Sequence, residues 1–466
     1  MALAPLLVTY AATRLYGLGA LPAFLDESLY ISWSLEAWTY WRRVLGSGKP
    51  LPLFLGSLIV PWFSDPLWTL RVLSTAAGAS ALGSVYALGQ RWFGPRSGLL
   101  GAAWYLVCPY AFFYDRLAVG DVFLSAASGW VLVASLRVSA ESSSSKSAAQ
   151  RHWILLGLAL GLAILSKTLG VVLLFTPPLV LALARAPLRT WRRLWLPYGV
   201  AAVVAGWPLW FFVRKSSETG KALTVDAGYL RAVVGNVSQE ATLLAEWWTW
   251  GLAGLAAIGL LAAHRHNRIA THAALWSVVA PVAFVACLAQ TWYPRYLLFA
   301  TPPAAALAGA GAAWCIHRSR LWAIALLVAA YPALRLDVAL LTDPAAAHLP
   351  AAEREQYVTG WSSGYGLREA AQFVKQRASA TPGGLLVVAA HSEGRAVFLG
   401  LRTYLRALDD VRLVESAIDE DRRASGGEEL VALPPRPSPS SDPSLELLSR
   451  HQRPDGSVAV ELYRRR

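Results

Sequence analysis

The sequence predicts a mainly α-helical protein that crosses a membrane about eleven times and ends in a small soluble α/β domain. Three observations predict this. Apolar runs of membrane length recur from Ala2 to Leu336, each near the roughly 20 residues that a spanning helix needs. Arg and Lys gather in alternate short loops between those runs, as the positive-inside rule requires. From about Asp337 the composition turns polar and strand-like segments begin.

Composition agrees. Of 466 residues, 55% are hydrophobic and 15% charged, and the mean hydropathy is +0.41. That charged share is well below the roughly 25% of soluble domains. The formal net charge of +13 does not argue for nucleic acid, because the cations sit in short interhelical loops. Cys108, Cys287 and Cys315 lie in or beside apolar runs and at no metal-ligand spacing. A disulfide framework or structural zinc site is not expected. No Gly-rich phosphate loop follows a strand, so no nucleotide-sugar site is expected either.

The first span covers about Ala2–Leu21. It contains Arg14 and lacks a small-residue cleavage site, so it reads as a retained helix rather than a signal peptide. An external loop over 22–65 follows. It begins Leu25-Asp26-Glu27-Ser28-Leu29-Tyr30 and ends Lys49-Pro50-Leu51-Pro52-Leu53. Trp33, Trp38, Trp41, Arg42 and Arg43 lie between, a mixture that suits helices in the membrane interface. Two adjacent acids directly after a span are costly unless water, a partner or a substrate meets them. An ordinary solvated loop and a reaction site both satisfy that condition.

Spans over about 66–90, 97–114 and 117–136 come next, the last two forming a hairpin around Asp115-Arg116. A polar loop with the run Ser142–Ser145 reads as flexible. The apolar run Trp153–Ala184 would be about 48 Å long as one helix, against a hydrocarbon core of about 30 Å. Both its flanks are basic, so it should cross twice, turning at Ser166-Lys167-Thr168. Further spans are expected over about 195–213, 246–263, 271–290, 297–316 and 321–336, with 214–245 a polar loop. The basic loops put the N-terminus in the cytoplasm. The Asp26 loop, the Asp115 turn, Lys167, Arg295 and the C-terminal part then all face outward.

Two domains are therefore expected, 1–337 in the membrane and 338–466 outside it. In the second, Gly366–Arg377 reads as an amphipathic helix, Leu385–Ala390 as a buried strand and Gly394–Leu405 as helix. Glu429–Leu433 and Val458–Tyr463 read as strands, and Pro434–Pro443 as loop. His391 follows the strand where α/β folds often bind ligands, though it also fits a satisfied loop histidine.

Several motifs carry a family resemblance. Asp26-Glu27-Ser28-Leu29-Tyr30 resembles an external-loop Asp-Glu motif, and Lys49-Pro50-Leu51-Pro52-Leu53 a Lys-Pro-Pro-Leu element. Arg116-Leu117-Ala118-Val119-Gly120-Asp121 resembles a second acidic motif. Leu165–Gly170 and Tyr293-Pro294-Arg295-Tyr296-Leu297 resemble two further recurrent segments. Together, over about residues 1–335, they resemble the dolichyl-phosphate-mannose–protein mannosyltransferase-like and aminoarabinose transferase-like group. Tyr357–Glu369, with its glycines, resembles a soluble tail of some bacterial relatives. The chain departs from the aminoarabinose branch at Gly48, where an acid is common, and at Leu51, which replaces a proline. That leaves the donor sugar open.

The resemblance implies a GT-C fold in a bacterial-type plasma membrane. It implies transfer of a sugar from a polyprenyl-phosphate donor to a hydroxyl of a protein, lipid or glycan at the outer face, with inversion. Asp26 is the expected base, with Asp121 and Glu27 as further catalytic acids. Lys49, Arg295, Lys167, Tyr30, Arg116 and Tyr293 are the expected substrate contacts. A divalent ion, on Asp26 or Asp121, is left open. So are plainer roles: Lys167 also fits a snorkelling lysine, Arg116 a helix-end ion pair, and Arg295 a structural helix start. A flippase of lipid-linked sugars is the competing class, favoured if charges lay at mid-membrane on several helices.

Overall fold

The computed structural model describes residues 3–140, 146–218, 227–288, 293–381, 384–389, 395–406, 408–415, 428–434 and 442–466. Two compact units emerge. The first comprises Met1–Leu18, Glu36–Ser57 and Arg71–Thr342. The second comprises Gly19–Leu35, Leu58–Leu70 and Asp343–Arg466.

In chain order the helices begin α1 (Ala4–Leu15), α2 (Leu25–Leu35), α3 (Trp41–Leu45), α4 (Pro50–Ile59), α5 (Pro66–Leu88), α6 (Pro95–Val107) and α7 (Pro109–Tyr114). They continue α8 (Gly120–Ala140), α9 (Lys146–Ser166), α10 (Thr176–Leu183), α11 (Leu188–Trp191), α12 (Trp195–Glu218), α13 (Ala227–Trp247) and α14 (Thr249–His266). The remainder are α15 (Arg268–Leu288), α16 (Thr301–Arg318), α17 (Trp322–Thr342), α18 (Ala351–Arg354), α19 (Leu367–Ala380) and α20 (Ala396–Leu405).

Every segment read as a span contains helix among its described residues. Among the described residues, six stretches are long and apolar enough to cross a membrane: Pro66–Phe93, Gly120–Ala140, Leu188–Lys215, Arg268–Cys287, Pro294–Arg318 and Trp322–Thr342. Arg231–Trp247 and Thr249–His266, bent by 101°, make a seventh if taken as one broken span. The others are short, and α1 has only 12 residues.

Local chemistry explains the breaks. Asp65 caps α5 by accepting the Trp68 N–H at 2.9 Å. The expected third span is interrupted at Cys108, which is extended because Pro109 follows it. The long run over 153–184 turns at Lys167, also extended, as its length demanded. The expected loop over 214–245 is mostly helix instead. α12 continues to Glu218, and α13 buries Asn236, Glu240, Leu243 and Trp247 among polar neighbours that masked the helical period.

In the first unit, 89% of an apolar 18-residue stretch within Pro294–Arg318 is buried, against 17% of those within Leu188–Lys215 and Trp322–Thr342. α16 is thus the central helix. α17 shows Ile324, Leu327, Val328 and Tyr331 outward, a surface suited to lipid. Glycine lets the neighbours of α16 approach. A Cβ on Gly309 would lie 2.4 Å from the Gly101 amide of α6, and one on Gly259 of α14 only 1.8 Å from the Leu307 carbonyl. Two buried charges find partners inside this bundle. Asp115 accepts from Tyr10 Oη at 2.8 Å and Tyr105 Oη at 3.3 Å. Arg14 donates to the Leu106 carbonyl at 2.7 Å and stacks on Phe112.

The second unit contains a five-stranded sheet in the order β2-β1-β3-β5-β4. The strands are β1 (Leu385–Ala389), β2 (Val411–Glu415), β3 (Glu428–Leu433), β4 (Leu445–Gln452) and β5 (Val458–Arg465). β1 pairs in parallel with β2 and β3, while β5 is antiparallel to β3 and β4. Leu367, Ala370, Ala371 and Val374 of α19 pack with Leu385, Val387, Leu430 and Leu462. Each large apolar side chain so buried contributes roughly 1.5–3 kcal/mol. β2 and β4 were not expected. β2 has only five residues, and β4 breaks its alternation with a bulge between Leu447 and Ser449. Ser142–Ser145, His391 and most of Pro434–Pro443 lie outside the described residues.

Candidate active site

The first unit gathers four of the expected residues around one carboxylate. Asp121 stands in the first turn of α8, where the helix dipole favours an anion. Lys167 Nζ lies 2.5 Å from its Oδ1, and Arg295 Nε 3.8 Å from its Oδ2. The Lys167 ammonium sits 3.7 Å from the Tyr296 ring centroid, and the Arg295 guanidinium 4.5 Å from that of Tyr293.

Each partner is held by a turn that the sequence forces. Arg295 lies in the 3-10 turn Pro294–Ala300. Tyr110 Oη donates to the Pro294 carbonyl, Ser125 Oγ to Leu298 at 3.2 Å, and Ser128 Oγ to Phe299 at 2.7 Å. Hydroxyls of α8 therefore satisfy carbonyls that a short 3-10 turn leaves open. Lys167 bridges α9 and the 3-10 turn Thr168–Phe175. Its neighbour Thr168 donates its N–H to the Gly48 carbonyl at 2.7 Å, which joins the Lys49 loop to the Lys167 turn. Gly48 has φ +77°, a conformation glycine takes without strain.

Burial pushes the Lys167 ammonium down to about 8; the Asp121 carboxylate opposes that push, while Arg295 and Lys49 add to it. Lys167 and Arg295 thus flank the Asp121 carboxylate, with Lys49 near enough to act on Lys167. Such a cluster suits an anion with several acceptor oxygens, and phosphate above all.

An apolar groove of about 560 Å³ begins beside this cluster. Its lining includes Leu51, two residues after Lys49, and Ser166, the residue before Lys167. It continues past Phe123, Trp130 and Leu158 to Arg137 and His152.

The acidic pair belongs to the second unit. Asp26 and Glu27 occupy the first turn of α2. Glu27, Ser28 and Tyr30 are buried and Asp26 is half-buried. The segment Tyr357–Glu369 and α20 hold the start of this helix. The Leu25 N–H donates to the Ser362 carbonyl at 2.9 Å, and the Ala23 N–H to Tyr404 Oη at 2.7 Å. Phe24 packs edge-on against Tyr357 at 4.6 Å. Arg402 donates to Ser32 Oγ at 2.8 Å. A Cβ on Gly364 would lie 2.1 Å from the Ala23 carbonyl, so only glycine fits there.

Arg116 stands apart from the Asp121 cluster. It donates to the Tyr16 and Gly17 carbonyls at 2.9 and 3.1 Å, so it satisfies the end of α1. Residues not singled out beforehand are Tyr296, Thr168, Ser125 and Ser128. Tyr296 was legible as an aromatic beside Arg295; the serines carried no signal. Among the described residues, no group of three or more His, Cys, Asp or Glu stands together. Both oxygens of Asp121 face cations, which does not suit a divalent ion at that carboxylate.

Fold defines the class: the chain is a mainly helical, polytopic membrane protein with a fold like that of ArnT and a small C-terminal sheet. Residues 47–213 match the family model described as dolichyl-phosphate-mannose-protein mannosyltransferase. ArnT from Cupriavidus metallidurans in the apo state superposes with a TM-score of 0.67 at 17% identity, covering 99% of this chain and 97% of that one. The same protein bound to undecaprenyl phosphate gives 0.64 over the same shares, also at 17% identity. The oligosaccharyltransferase AglB from Archaeoglobus fulgidus, in complex with an inhibitory peptide and a dolichol-phosphate, gives 0.52 at 14% identity, over 86% of this chain and 63% of that one. At these identities the likeness is one of fold. No curated protein sequence matches the chain.

Proposed function

We propose that the chain is a membrane glycosyltransferase that moves a sugar from a polyprenyl-phosphate donor to an acceptor hydroxyl at the outer face of a bacterial-type plasma membrane. One observation carries this: a cation cluster of phosphate-binding chemistry stands at the head of an apolar groove. A lipid-linked phosphate has that same division, a charged head on a long hydrocarbon. The ArnT and AglB structures named above hold undecaprenyl phosphate and a dolichol-phosphate, which supports the same choice of donor.

Lys49, Lys167 and Arg295 bind the phosphate, and Asp121 holds the last two in place. The prenyl chain lies along the groove. Tyr293 and Tyr296 fix the cations from behind through their ring faces. Asp26 is the base, with Glu27 and Tyr30 supporting it on α2. The acceptor oxygen forms its bond to the anomeric carbon as the carbon–oxygen bond to phosphate breaks. The phosphate leaves with the electron pair, the acceptor proton passes to Asp26, and the centre inverts. The cations stabilise the charge that develops on the leaving phosphate, which is typically a large catalytic contribution.

Purified protein with a polyprenyl-phosphate sugar and a hydroxyl acceptor tests this. Cleavage of the donor with the sugar appearing on the acceptor is expected. Movement of intact donor across a proteoliposome membrane, without cleavage, would instead establish a flippase.

A further inference from the structure

A second cavity, of about 550 Å³, opens inside the first unit where α6 begins and α14 and α16 end, each of these termini carrying a basic residue. It is remote from the Asp121 cluster along α16. The Arg295 turn leads into Thr301, the first residue of that helix, while the cavity is lined from Ala310 to His317, about 14–24 Å further along at 1.5 Å per residue. Arg96, His266 and His317 supply its polar lining, and Ala262, Ala310 and Trp314 are among its apolar walls. It exists because the side chains are small. Gly101, Gly259 and Gly309 bring the three helices into backbone contact, and beyond them alanines leave the space unfilled.

Nothing on the lining elements balances its charge. No Asp or Glu occurs between Asp65 and Asp115, nor between Glu246 and Asp337. Those two stretches contain all of α6, α14 and α16. Arg265 of α14, Arg268 of α15, Arg318 of α16 and Arg91 of the short turn before α6 add to that charge. A phosphate diester supplies the missing anion. The apolar walls select between sources of it: a free ion would leave Trp314 and the alanines wet, whereas a phospholipid covers them with its first methylene groups. Basic pockets between membrane helices commonly bind such headgroups.

We propose that this cavity binds the headgroup of an anionic membrane phospholipid, with Arg96 facing the phosphodiester and His266 and His317 donating hydrogen bonds to it. The site is independent of the sugar-transfer chemistry.

Thermal unfolding of the full chain in a neutral detergent tests it. The additions are phosphatidylglycerol, phosphatidylcholine with the same acyl chains, and inorganic phosphate at equal concentration. A saturable rise in Tm with phosphatidylglycerol alone is expected, because a ligand of the folded state stabilises it by mass action. Arg96→Gln with His317→Gln should abolish the rise, as should Ala310→Leu, which fills the cavity. The Gln pair alters exposed side chains, so it decides the matter if Ala310→Leu does not fold. An equal rise with phosphatidylcholine or with phosphate overturns the proposal. So does an undiminished rise in the Gln pair.

Discussion

Asp121 and Asp26 are both acids in the first turn of a helix, yet the protein fixes them in opposite ways. Asp121 is 5% exposed at its side chain and is held by side chains, with Lys167 and Arg295 on its two oxygens. The helix that carries Asp26 is held by its own backbone, through the Ala23 and Leu25 amides and the close approach of Gly364 to Ala23. One arrangement spends its carboxylate on neighbouring cations. In the other, main-chain amides and a close glycine orient the start of the helix, and the Asp26 side chain is half-buried. An acid committed to two cations is suited to positioning them. An acid carried on a helix that is oriented by other atoms is suited to receiving a proton.

Three experiments break or sharpen that contrast. The largest effect is expected from Asp26→Asn, which keeps shape and polarity but removes basicity. Turnover should fall by about 10²–10⁴, the usual worth of a positioned base, while donor lipid still binds. A folded Asp26→Asn variant that transfers sugar at the wild-type rate would place the base elsewhere. Next comes the cation side. Lys49→Ala should weaken donor affinity by roughly 10- to 100-fold, matching about 1.5–3 kcal/mol for a hydrogen bond to a charged group. Lys49→Arg should lose less, and unchanged donor titrations in Lys49→Ala would remove this lysine from the phosphate site. The smallest effect is expected from Gly364→Ala. Its methyl would meet the Ala23 carbonyl and shift the start of α2, at a cost of about 1–3 kcal/mol in stability. Turnover should drop within about tenfold with donor affinity intact. A variant that lowers Tm and leaves kcat untouched would show that Gly364 serves the fold alone.

Much of this was legible in the chain, and particular residues show why. Lys167 could be placed in a turn because the run over 153–184 is too long for one crossing and has basic flanks. The Asp26–Glu27 pair stood out because acids beside a span are costly. Strand β1 was legible because its apolar run sits after Pro382-Gly383-Gly384. What stayed hidden depends on partners distant in sequence. The hydroxyls of Ser125 and Ser128 look like ordinary small residues until the 3-10 turn at Pro294 presents its carbonyls to them. Arg116 looked like a substrate ligand because its motif is charged, and only the fold brings it to the end of α1. The 214–245 segment hid a helix because polar residues interrupt its apolar period.

The hydrogen bond from Thr168 to Gly48 has a consequence for how this protein tolerates sequence change. It joins two main-chain groups, so among substitutions at these two positions only proline at 168 removes its donor outright. The spacing between the Lys49 loop and the Lys167 turn is therefore written in chain length rather than in residue identity. Replacements around either lysine leave the two strands of backbone in register. Inserting one residue between Gly48 and Lys49, or between Lys167 and Thr168, displaces an ammonium by up to about 3.8 Å, the distance between successive Cα atoms.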